Sequence, residues 1–219
     1  MSLHRPPCEK QMFNHFLPRF RSTLSLLIPF VCSLAIGVPA WAQAPATEMQ
    51  TPAMGMKVPA TGAQAPNFTL LTPTGHSISL SSVTEQGTTV LVMLRGFPGY
   101  QCPYCVRQVH DFVEHAPDFA AKHVSVLLVY PGPPAELDQR AKEFLAKQAD
   151  LPQNIQLVTD PDYKMTNQYG LRWDAPKETA YPSTFILDKS SKILFEKISH
   201  SHGDRTTAEE VLAQIPAMK

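Results

Sequence analysis

Two cysteines stand two residues apart, Cys102 and Cys105, in the stretch RGFPGYQCPYCVRQ that directly follows a strongly apolar run. A pair at this spacing can cycle between a dithiol and a disulfide. Proline is favoured at the first position of a helix, so Pro103 marks Cys102 as the N-cap of a helix that starts there. The amides of Tyr104 and Cys105 then face the Cys102 sulfur and, with the positive helix end, favour its thiolate. Such a setting lowers a cysteine pKa from about 8.5 toward roughly 3.5–7.5. Cys105 falls on the same helix face, within disulfide reach, and is expected to be the less accessible sulfur. Arg107 and His110 lie within two turns.

Other uses of the pair carry less. A purely structural disulfide closing so small a loop gains little, because the entropic stabilisation grows with loop length. A structural zinc ion needs four ligands, and His110 and His115 would have to complete the set. Two inert buried thiols do not suit an oxidising compartment.

The front of the chain points to such a compartment. Arg19 and Arg21 precede an apolar run from Leu24 to Val38 that ends in PAWAQA. A basic segment, a short apolar core and an Ala-x-Ala site are the parts of a secretory signal peptide. The run is shorter than the roughly 20 residues of a bilayer span. Cleavage is expected after Ala42, since cutting after Ala44 would leave Pro45 at the new N-terminus; uncleaved, the segment would tether the protein to the membrane. The expected location is across the inner membrane, in the periplasm. Cys8 and Cys32 leave with residues 1–42, so Cys102 and Cys105 are the cysteines that remain. What remains carries 15 basic and 18 acidic residues, a net charge of −3, which gives no electrostatic reason to bind nucleic acid.

The elements that must position the cysteines follow from periodicity. Residues 43–57 have no apolar period and read as a flexible linker, with Met49, Met54 and Met56 as conceivable soft metal ligands. Within 58–219, Phe68–Leu71 and His76–Leu80 flank Thr72-Pro73-Thr74-Gly75 as a β-hairpin. Thr88–Leu94 and Val124–Tyr130 are continuous apolar runs, as in strands buried on both faces. Val106, Val109, Phe112 and Val113 recur at helical spacing up to Pro117, where the helix bends or restarts. A helix over Glu136–Gln148, a strand over Ile155–Thr159 and a short helix ending at Gly170 come next. Phe185–Asp188 and Lys192–Ser199 form a second hairpin before a last helix that starts near Thr206. This order predicts an α/β sandwich with a mixed central sheet.

Ala65-Pro66-Asn67-Phe68-Thr69-Leu70 followed by Gly75, the strand before the cysteines, Tyr169-Gly170-Leu171 and Tyr181-Pro182-Ser183-Thr184-Phe185-Ile186-Leu187-Asp188 occur in an order that resembles the thioredoxin superfamily over Val58–Pro216. Within it the chain looks most like the peroxiredoxin-like alkyl hydroperoxide reductase and thiol-specific antioxidant family. The resemblance implies a thioredoxin-like three-layer sandwich with an N-terminal β-hairpin. It also marks two departures. In the family pattern Pro-x-x-x-Thr/Ser-x-x-Cys, Pro98 and Cys105 keep the proline and the cysteine, but Cys102 replaces the hydroxyl residue. The arginine three residues before the Phe of Phe-x-x-Asp is replaced by Pro182. Both changes are toward thioredoxin, whose cis-proline packs against its Cys-x-x-Cys, and they imply a cis bond at Pro182.

The leading expectation is thiol-disulfide exchange, in which Cys102 attacks a protein or small-molecule disulfide, Cys105 resolves the mixed disulfide and Pro182 presents the substrate backbone. The alternative is a thiol peroxidase acting on hydroperoxides, with Cys105 or Cys102 oxidised to a sulfenic acid and the other condensing with it. A third reading is a copper-handling relative using the dithiol and His200 or His202. An unidentified thiol serves as electron donor, and no cofactor or metal is required for the first two. His200-Ser201-His202-Gly203 reads more simply as an exposed turn, His110 and His115 as surface histidines, and Trp173 and Tyr181 as packing residues or the lining of the site's mouth.

Overall fold

The computed structural model describes residues 57–215. The expected signal peptide, its cleavage site and the linker methionines lie outside the described residues. Seven strands form one mixed sheet: β1 (Thr69–Leu71), β2 (Ser77–Ser79), β3 (Thr88–Met93), β4 (Val124–Gly132), β5 (Ile155–Pro161), β6 (Ser183–Leu187) and β7 (Ile193–Ile198). Their order is β2-β1-β5-β4-β3-β6-β7. β4 runs parallel to β3 and β5, and the other pairs are antiparallel. The described residues also form six helices: α1 (Leu80–Thr84), α2 (Pro103–Glu114), α3 (Ala116–Ala121), α4 (Leu137–Leu145), α5 (Lys164–Gln168) and α6 (Ala208–Gln214).

Strand side chains alternate between faces, and the β3 run uses both. Val90, Val92 and Leu94 pack into a core with Val109 and Phe112 of α2, Phe144 of α4 and Val211 of α6. Leu91 and Met93 face the opposite core with Phe68, Leu80, Met165 and Tyr169. Helix, sheet and helix therefore form the expected three layers, with β3 in the interior, buried from Thr89 onward. The first hairpin turns at Gly75, whose φ of 89° favours glycine, and closes with the Gly75 amide donating to the Thr72 carbonyl at 2.9 Å.

The helix after the cysteines does break: α2 ends at Glu114, His115 caps both helices, and α3 restarts with Pro117 in its first turn. α6 starts on a reciprocal cap, in which the Thr207 hydroxyl accepts from the Glu210 amide and the Glu210 carboxylate accepts from the Thr207 amide. β6 begins at Ser183, two residues before the expected Phe185, because its pairing with β3 runs on to Met93↔Ser183.

Candidate redox site

β3 delivers the chain to the site through a tight approach. Leu94 and Phe97 donate from their amides to the carbonyls of Val129 and Pro131, at 3.0 and 2.9 Å. Between them Gly96 adopts a φ of 71°, and a Cβ there would overlap the Pro131 carbonyl. The segment is also tied to β4 and α4: the Tyr130 hydroxyl donates to Gln101 Oε1 and Gln101 Nε2 donates to the Arg140 carbonyl, both at 2.8 Å.

Cys102 is the N-cap of α2, with φ −71° and ψ 115°, and its sulfur accepts from the Cys105 amide at 3.4 Å. Pro103 opens the helix, as its position in the sequence predicts. The Cys102 thiol is lowered to about 5: the hydrogen bond from the Cys105 thiol acts most strongly, burial opposes it, and the Cys105 amide, the Arg205 charge and Arg95 reinforce the lowering. Burial pushes the Cys105 thiol well above its usual range, and donating to Cys102 adds to that rise. Both shifts run in the direction expected for a thiol at the helix N-cap and a buried partner behind it. Accessibility does not separate them: Cys102 is 1% exposed and Cys105 0%. The expectation that Cys102 is the more accessible sulfur is not met: it packs into the same core as Cys105, with Arg205 Nη2 of the segment between β7 and α6 at 3.8 Å from its sulfur.

Two arginines that the sequence did not single out shape the site. Arg205 uses all three nitrogens: Nε donates to the His202 carbonyl at 2.8 Å, Nη1 to Gln108 Oε1 at 2.9 Å, and Nη2 points at Cys102. Arg95 is 2% exposed and donates to the Glu178 carboxylate, the Tyr100 hydroxyl and the Lys177 carbonyl at 2.6, 2.7 and 2.6 Å. Glu178 also meets His202 Nε2 at 3.0 Å. Burial pushes the Glu178 carboxyl up, but the hydrogen bonds from Arg95 and His202 outweigh it and hold the group below its usual range. Arg95 did carry a signal, as a charge ending an apolar strand that must find a partner when buried. Arg205 carried none.

Pro182 is buried and shares a cleft with Gln108 and Arg205, yet its peptide bond is trans, as are all others among the described residues. The expected cis bond is corrected: the chain runs extended into β6, and the Pro182 carbonyl accepts from the Ser199 amide at 2.8 Å, prolonging the β6–β7 pairing. Trp173 and Tyr181 stack at 4.8 Å, and through His202, 5.3 Å from Trp173, they connect to Tyr104 of the motif. His110 pairs with Glu114 on the surface of α2, and His115 with Asp111. Among the described residues no group of three or more His, Cys, Asp or Glu side chains is placed to hold a metal ion.

Comparison with known proteins agrees with this fold. The family model described as "AhpC/TSA family" matches residues 61–195. A Mycobacterium tuberculosis protein provisionally named a peroxiredoxin is 28% identical over 135 residues, covering 59% of this chain and 79% of the relative. Solved structures share the fold. The peroxidoxin BcpB from Mycobacterium tuberculosis superposes with a TM-score of 0.59 at 22% identity, covering 71% of this chain and 96% of that one. A protein from Chlorobium tepidum, provisionally named the thiol:disulfide interchange protein DsbE, superposes with a TM-score of 0.53 at 21% identity, covering 71% and 98%.

Proposed function

Since the chain belongs to the AhpC/TSA family of thiol oxidoreductases and peroxidases, we propose that it is a thiol peroxidase whose Cys102 thiolate meets the hydroperoxide. One observation carries this reading: the acidic sulfur is 1% exposed and lies 3.8 Å from the Arg205 guanidinium. A hydroperoxide as small as hydrogen peroxide needs far less room at such a sulfur than a protein disulfide, which must present itself for in-line attack. The missing family arginine at Pro182 argued for exchange. Arg205 reaches Cys102 from another part of the chain and removes that objection.

In the proposed cycle the Cys102 thiolate attacks the distal oxygen of ROOH, the O–O bond breaks, and the departing alkoxide takes a proton to leave as ROH. Arg205 offsets the charge that builds on the oxygens. The Cys102 sulfenic acid then condenses with the Cys105 thiol: the S–S bond forms, the S–O bond breaks, and the hydroxyl leaves as water with the Cys105 proton. A thiol reductant supplies two electrons and two protons to reopen the disulfide. The reading extends to an exported, periplasmic protein, whose reductant would be supplied through the membrane.

Peroxide consumption measured beside disulfide reduction tests it. Cys102→Ser should abolish peroxide turnover, while Cys105→Ser should consume one equivalent and leave a sulfenic acid that dimedone labels at Cys102. The dithiol at a helix N-terminus also favours exchange. Slow peroxide consumption, with rapid disulfide reduction and mixed disulfides trapped through Cys102 in Cys105→Ser, would establish exchange instead. Fast peroxide reduction that survives Cys102→Ser and is lost in Cys105→Ser would move the attack to Cys105.

A further inference from the structure

The oxygen that departs from the hydroperoxide needs a proton, and the groups around Cys102 differ in whether they have one to give. Arg205 and Arg95 are guanidinium groups, which keep their protons. The Cys105 thiol is held well above its usual range, and its proton is used later, when the disulfide forms. The Tyr130 hydroxyl is committed to Gln101 Oε1 at 2.8 Å, and burial pushes it up as well. His202 turns its Nε2 to Glu178 and its carbonyl to Arg205.

Tyr100 differs from all of these. It stands two residues before Cys102, and its oxygen accepts from Arg95 Nη1 at 2.7 Å, so that among the described residues its own proton has no acceptor. Arg95 Cζ lies 5.1 Å from the centroid of the same ring. Arg95 is buried and is also among the groups that lower the Cys102 thiol, so one cation serves both the Tyr100 hydroxyl and the Cys102 sulfur. We propose that Tyr100 is a further catalytic residue, the acid that protonates the departing oxygen of the hydroperoxide. The assignment rests on Cys102 making the attack. In that step the S–O bond forms and the O–O bond breaks, the sulfur is oxidised to the sulfenic acid and the peroxide is reduced. The Tyr100 proton moves to the departing oxygen, which leaves as ROH. The phenolate left behind keeps the hydrogen bond from Arg95, whose charge offsets it. It regains a proton from water, which reaches a ring that is 44% exposed. A phenol suits the role because it gives up a proton far more readily than the alcohol or water that it makes.

The test compares oxidants whose leaving groups differ in their need for that proton. Hydrogen peroxide releases hydroxide, a strong base, whereas peracetic acid releases acetate, a weak one. Oxidation of the fully reduced protein by each is followed in stopped flow for the wild type, Tyr100→Phe and Tyr100→Gln. Phenylalanine keeps the ring without the hydroxyl, and glutamine returns an acceptor to Arg95 Nη1 without an acidic proton. Both variants should react about a hundredfold more slowly with hydrogen peroxide and keep the wild-type rate with peracetic acid. The pH at which Cys102 ionises, read from thiolate absorbance with Cys102→Ser subtracted, should not move. Equal losses with the two oxidants would overturn the assignment. So would a hydrogen peroxide rate restored in Tyr100→Gln, which would reduce Tyr100 to a partner for Arg95. Tyr100→Gln carries the same readings if Tyr100→Phe loses the native circular dichroism. A wild-type protein that reacts slowly with hydrogen peroxide but rapidly with a disulfide refutes the peroxidase reading itself, whereas an unimpaired hydrogen peroxide rate in both variants refutes the role of Tyr100 alone.

Discussion

A thiol that loses its proton near pH 5 while only 1% exposed is charged because of its neighbours, not because of water. The pH dependence follows with a definite sign. The reactive form is the deprotonated one, and a lowered pKa means that it is populated above about 5. Peroxide consumption should therefore rise about tenfold per pH unit below that point and be level by neutral pH, in stopped-flow measurements across the acidic and neutral range. A rate that keeps climbing into the alkaline range would assign the attack to Cys105, whose thiol burial pushes upward. Arg205→Met removes the nearest positive charge with a described contact to the sulfur, and should move the midpoint up by about one unit or more.

At the scale of elements, the site depends on how β3 ends and on what covers it. Arg95 leaves the strand as a buried cation and is neutralised by Glu178 from the loop between Arg172 and Ala180, whose ends form a β-bridge. Glu178→Leu should strand that cation and destabilise the protein by about 3 kcal/mol, read as a lowered urea midpoint with an unchanged slope. Gly96→Ala should both destabilise the fold and slow peroxide turnover, since the added Cβ meets the Pro131 carbonyl just where the chain leaves β3 for the cysteines. A stability loss without a change in turnover would mean that the approach does not position the dithiol. These same elements show what a sequence discloses. β3, β4 and α2 were legible because continuous apolar runs and Pro103 are local signals of large size. α1 was not, because five residues capped by Ser79 are too short to show a period. The burial of Cys102 and the arrival of Arg205 depend on a segment about a hundred residues away in sequence, and no local pattern encodes that closure. The isomer at Pro182 is likewise a tertiary property, and the thioredoxin analogy misled there because β6 keeps the proline in an extended run.

For the whole molecule, the proposed export signal and the described dithiol site occupy different parts of the sequence. Both apolar cores and every side chain of the Arg95–Glu178–His202 and Arg205–Gln108–Cys102 contacts fall between residues 57 and 215. Cleavage after Ala42 would remove Cys8 and Cys32 together with the apolar segment and would leave Cys102 and Cys105 without other cysteines in the same chain to exchange with. This suits a protein whose catalytic disulfide must form with the intended partner in an oxidising compartment. If the chain is exported as proposed, its mature form should begin at Gln43, with Ala40 and Ala42 supplying the small side chains that a signal peptidase requires. N-terminal sequencing of the periplasmic fraction checks this, together with the peroxide turnover of the isolated mature chain. A sequence that retains Leu24–Val38 would reject cleavage and make the segment a tether. Turnover lost on cleavage would show that residues 1–42 contribute to the site.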